Sequence, residues 1–85
     1  MMMKVTLDAL RLQNKEEAHK YLREALNFPE YYGENLDALH DCLTELDDVS
    51  IEFVNSDKVS GGYFAKVLGV FRDSAEENQG LKILG

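Results

Sequence analysis

Asp37, His40 and Asp41 fall within one helical turn of this 85-residue chain, so two carboxylates and an imidazole share one short stretch. Such a set could serve general acid and base catalysis or hold a divalent cation, but neither chemistry suits the spacing. All three project from one convex helix, whereas catalysis needs groups that converge on a substrate in a water-excluding pocket. Hard cations want about six or more oxygen ligands, and one exposed helix face, even helped by Glu34, supplies two or three. Cys42 lies on the flank of an apolar stripe, where a packed thiol is commoner than a reactive one. The patterns GxGxxG, GxxxxGK(S/T) and HExxH are absent. No catalytic residue, metal ligand or cofactor is therefore expected.

Recognition of a protein explains the same residues with less strain. Asn35 can cap a helix running to about Leu46, in which Leu36, Leu39, Leu43 and Leu46 form one apolar stripe. Turning each residue by about 100° puts Asp37, Asp41 and Thr44 on the face opposite the leucines, with His40 at its margin. Tyr31, Tyr32 and Gly33 precede the helix, so two amphipathic rings are expected at a turn beside the carboxylates, as in interface anchors. Carboxylates fixed on a rigid helix lose little entropy on meeting arginine or lysine.

Charge patterning agrees. The net charge is −7, and no lysine or arginine occurs between Arg23 and Lys58, where ten of the sixteen acids fall. These are Glu24, Glu30, Glu34, Asp37, Asp41, Glu45, Asp47, Asp48, Glu52 and Asp57. The pattern argues against direct nucleic-acid binding and for a basic partner, although acids also keep a small domain soluble. No run approaches the roughly 18 apolar residues of a membrane span, and the start lacks a signal core, so a cytoplasmic location is expected. The single cysteine, Cys42, excludes an intramolecular disulfide and fits a reducing compartment.

One domain is expected over residues 1–85. Met3, Val5 and Leu7 alternate with polar residues as in a strand. Asn14 with Glu17 resembles a capping box opening a helix over Lys15 to Leu26, with Ala18, Tyr21, Leu22 and Ala25 inward and His19 solvated. Pro29 ends that helix, and the tyrosines sit on the loop beyond. Val49, Ile51 and Phe53 suit an interior strand, and Asn55-Ser56-Asp57 caps one short helical turn before Gly61-Gly62. Phe64, Val67, Leu68, Phe71 and Ala75 mark a long helix to about Glu77, in which Gly69 suggests close packing. Leu81 to Leu84 form a last strand. The expected architecture is α/β, with a three-stranded parallel sheet and three to four helices.

The stretch PEYYGENLDALxDCLT, Pro29 to Thr44, resembles the signature of the barstar family, the intracellular inhibitors of secreted barnase-type ribonucleases, and the likeness extends more weakly along the whole chain. It implies a barstar-like fold and a protein that blocks a barnase-like extracellular ribonuclease by inserting the acidic helix and preceding loop into its active site. The expected complex is 1:1 with a monomeric inhibitor. Tyr31, Asn35, Asp37, Asp41 and Thr44 match family contact positions, with Asp41 as the central anchor, and Gly33 matches a loop position that approaches the enzyme. VFRD, Val70 to Asp73, resembles the family's VFRE and makes Asp73 a peripheral acidic contact, one methylene shorter. His40 stands where the best-known member has tryptophan, and Leu46 replaces another aromatic. These departures leave open an immunity protein for a different toxin, or an acidic interaction domain for another basic partner.

Overall fold

A computed structural model describes residues 3–59 and 61–84; Met1, Met2, Ser60 and Gly85 of the expected domain lie outside the described residues. The chain runs β1 (Met3–Asp8), α1 (Lys15–Leu26), α2 (Leu36–Thr44), β2 (Val49–Val54), α3 (Gly62–Glu77) and β3 (Leu81–Leu84). Short 3-10 turns lie at Ala9–Arg11 and Ser56–Lys58, so the described residues form three α-helices.

The strands form one sheet in the order β1-β2-β3, and both pairings are parallel. β2 is central because it is the most continuously apolar, and its Val49, Ser50 and Ile51 are all buried. Register sets Met3, Val49 and Leu81 side by side, then Val5, Ile51 and Ile83. With a period of two, Leu7, Ile51 and Leu81 are buried on the helix-covered face, while Lys4, Thr6 and Lys82 of the alternate set are exposed. α3 lies over the covered face, where the Phe53 ring meets those of Phe64 and Phe71 edge-on, with centroids 5.6 and 5.2 Å away.

Local chemistry explains the helix boundaries. The Asn14 side-chain oxygen accepts from the backbone N–H groups of Glu16 and Glu17, which starts α1 as expected. α1 ends at Leu26 and is capped by Asn27, whose φ of 56° is left-handed and whose N–H donates to the Arg23 carbonyl. α2 closes at Thr44, short of Leu46, which is half-buried beyond the helix end. Asn55 occupies the cap position of the second 3-10 turn without capping it; its side-chain nitrogen instead donates to Asp8 Oδ1 at 3.0 Å and ties the ends of β1 and β2 together.

Three further expectations fail. His19 is not solvated: it is 0% exposed, in the core with Ala18, Leu22 and Leu26. Tyr32 is not a second surface ring but is 5% exposed and packed on Phe28, with centroids 4.9 Å apart. Gly69 marks no close packing, since an added Cβ would meet nothing within 4 Å. Gly80 is more crowded, since a Cβ there would come within 3.0 Å of Asp47 Cα and the Leu46 carbonyl oxygen.

Candidate protein-docking face

The loop leading into α2 is shaped by its own polar groups. The Asn35 side-chain oxygen accepts from Ala38 N–H at 2.8 Å and caps the helix, and its side-chain nitrogen donates to the Gly33 carbonyl at 3.1 Å. Glu34 adopts a left-handed φ of 52° to complete the turn. Gly33 has little room for a side chain, because a Cβ would lie 3.2 Å from Asn35 Nδ2 and 3.3 Å from Ala38 Cβ. The adjacent tyrosines are consequently divided: Tyr32 turns into the core while Tyr31 stands 87% exposed.

Asp37 and Asp41 are exposed on α2, opposite the buried Leu39 and Leu43, and the Asp41 side chain is 86% exposed. Thr44 is half-buried and donates its hydroxyl to the Asp41 carbonyl at 2.9 Å, so its oxygen is turned back onto its own helix. Tyr31, Gly33, Asp41, Cys42 and Glu45 line a surface cleft of about 410 Å³ together with Tyr32 and Ala38. Burial, then the negative charges of Glu45 and Asp41, push the Cys42 thiol up, which makes it a poor nucleophile.

His40 joins α2 to α3. Its Nε2 lies 2.5 Å from Glu77 Oε2, and its Nδ1 lies 4.0 Å from Asp41 Oδ1. The hydrogen bond to Glu77, opposed by desolvation and reinforced by the charges of Glu77, Asp41 and Asp73, raises the imidazole above its ordinary range. Asp73 is exposed on α3 within electrostatic reach of this ring. The structure thus gathers Tyr31, Gly33, Asn35, Asp37 and Asp41 around the start and outer face of α2, while Asp73 stands on α3 within electrostatic reach of His40. No group of three or more histidine, cysteine, aspartate or glutamate side chains is arranged to hold a metal among the described residues.

Two supporting residues escaped the sequence reading. His19 Nδ1 lies 2.6 Å from the Tyr32 hydroxyl and Nε2 lies 2.5 Å from the Tyr63 hydroxyl, so one buried imidazole bridges α1, the tyrosine loop and α3. Burial holds His19 below its ordinary range, against the smaller opposing pull of Glu34. Its spacing of three and seven from Leu22 and Leu26 placed it on the apolar stripe. Asn78 donates its side-chain N–H groups to the carbonyls of Leu43, at 3.0 Å, and Leu46, at 2.6 Å, closing the C-terminal end of α2. Its only sequence signal was a turn-forming asparagine just past the end of α3.

A small parallel α/β sheet thus holds a capped helix with exposed Asp37 and Asp41, and an exposed Tyr31, toward solvent. The chain belongs to the family described as Barstar (barnase inhibitor), which matches residues 2–84. It is 40% identical over 81 residues to the Bacillus subtilis (strain 168) protein named "Putative ribonuclease inhibitor YrdF", covering 89% of each chain. These relationships place the protein among non-catalytic inhibitors and not among enzymes. No helix among the described residues is long and apolar enough to cross a membrane.

Proposed function

We infer that this protein is a stoichiometric inhibitor of a barnase-type ribonuclease, docking α2 and the loop before it into the enzyme's basic active site. Family membership supports the ribonuclease-inhibitor role, and the name of its Bacillus subtilis relative agrees. The observation that carries the mode of binding is the fixed pair Asp37 and Asp41, exposed on a helix capped at both ends beside Tyr31. In this reading Asp41 is the central anchor, Asp37 and Asp73 widen the acidic contact, Tyr31 packs on the enzyme surface, and Gly33 and Asn35 bring the loop backbone close. His40 and Thr44 complete the margin. Negative charge occupies the place of substrate phosphates without offering a cleavable bond, and the surrounding acids speed the encounter. The inhibitor acts as one domain and a monomer in a 1:1 complex, in the cytoplasm of the producing cell, as an immunity function requires.

The test is inhibition of a purified barnase-type ribonuclease by equimolar protein, with Asp41→Ala in parallel at fixed ionic strength. Wild type is expected to inhibit, and removing a carboxylate that becomes buried against a cation should cost about 2–5 kcal/mol, more than about thirtyfold in Kd. Absence of inhibition at large excess would transfer this face to another toxin or another basic partner.

A further inference from the structure

His40 differs from the lysines Lys15 and Lys66, which line a cleft with Asn35 and Asp37 at the start of α2, because its positive charge can be gained and lost near neutral pH and lies beside Asp41. Its side chain is 36% exposed, and its two nitrogens face different carboxylates on different helices. Nε2–H donates to Glu77 of α3 and holds the ring orientation. Nδ1 then lies 4.0 Å from Asp41 Oδ1 on the same helix, within ion-pair distance. In the neutral tautomer Nδ1 presents a lone pair to that carboxylate, and in the imidazolium it presents a second N–H. The charges acting on the ring, from Asp41 on α2 and from Glu77 and Asp73 on α3, are all carboxylates.

We propose that His40 is a proton-linked specificity residue of this face, whose charged form competes with a cationic partner for Asp41, so that docking of the partner expels a proton. The inference rests on the inhibitor reading above and adds a condition to it. A guanidinium or ammonium brought to Asp41 and Asp73 replaces the proton on His40 as their counter-charge, and two adjacent cations in a desolvated interface repel. The partner therefore favours neutral His40. Glu77 opposes that loss, because its hydrogen bond favours the imidazolium in the free protein. Affinity for a basic partner must consequently rise with pH across the range in which free His40 loses its proton, above the ordinary imidazole value. At high pH the face carries its full negative charge, and at low pH it is partly self-neutralised.

The experiment compares Kd for the ribonuclease between about pH 6 and about pH 9 for wild type, His40→Gln and Glu77→Gln, since one released proton changes Kd by at most about tenfold per pH unit. Ionisations of the enzyme appear equally in every curve. Wild-type Kd should fall with rising pH more steeply than that of His40→Gln, and Glu77→Gln should move the steep region to lower pH. Parallel wild-type and His40→Gln curves would overturn the proton link and leave the inhibitor reading intact. Failure of the wild type to bind at any pH would remove both. Imidazole proton resonances of the free protein give a check that needs no partner: His40 should titrate at higher pH in wild type than in Glu77→Gln, and coincident midpoints would sink the proposal.

Discussion

The two histidines of this protein occupy helices in the same small fold and are driven in opposite directions. His19 is wholly buried between the hydroxyls of Tyr32 and Tyr63, and burial holds it down. His40 is half-buried at the surface against Glu77, and that hydrogen bond holds it up. Burial is only part of the difference. A phenol both donates and accepts, so two phenols can satisfy a neutral imidazole completely, one donating to the bare nitrogen and one accepting from the N–H. A carboxylate only accepts, and its charge favours the imidazolium. The neighbours' donor and acceptor inventory thus selects a structural histidine in one place and a titrating one in the other.

The largest expected effect tests the structural half of this contrast. His19→Ala leaves a cavity and deprives two buried or half-buried phenols of their partner, and should cost about 2–4 kcal/mol in urea unfolding at neutral pH. His40→Ala should leave the unfolding midpoint close to wild type. Equal destabilisation by the two changes would erase the distinction.

Acidification provides a smaller and more diagnostic effect. The folded-state value of His19 lies below its unfolded value near 6.5, so the unfolded chain binds more protons as the pH falls below that point. Its contribution to stability is complete above about pH 6.5 and is lost on acidification, by at most about 1.4 kcal/mol per pH unit for one proton. His40 has the reverse sign: its contribution is present below the unfolded value and disappears as the pH rises through its raised folded value. Urea midpoints followed from neutral to acidic pH should fall for wild type and fall less for His19→Gln. A slope unchanged by His19→Gln would show that the buried imidazole is not the group being protonated.

The same opposition between crowded and open surroundings distinguishes two glycines. Gly69→Ala, in open space within α3, should stabilise by about 0.5–1 kcal/mol. Gly80→Ala should destabilise, because the added methyl meets the backbone at Leu46 and Asp47. Thermal midpoints moving in the same direction for both would contradict the packing described.

These cases show where the sequence was legible. Periodicity located all three strands, the bounds of α1 and the outward placement of Asp37 and Asp41, because each depends on residues within a turn or a pleat of one another. It also allowed Gly69 to suggest close packing where there is none, since propensity records that glycine weakens a helix and not what stands opposite it. Tyr31 and Tyr32 are the same residue in adjacent positions, and only the packing of Phe28 and His19 against one of them decides which is buried. The contact of His40 with Glu77 spans 37 positions, and that of His19 with Tyr63 spans 44. Such pairs are set by the path of the chain in space, which local spacing does not encode.

Asn78 gives the acidic helix a dependence on time as well as on place. The carbonyls it caps belong to Leu43 and Leu46, and the second of these lies 32 positions earlier in the chain. During synthesis every carboxylate of α2 is therefore made well before the residue that closes the helix beneath them. β2 must likewise wait for β3 before both of its edges are paired. The negatively charged surface is written early in the chain and finished near its end, so a nascent chain carries the charges of this face before it has their final geometry.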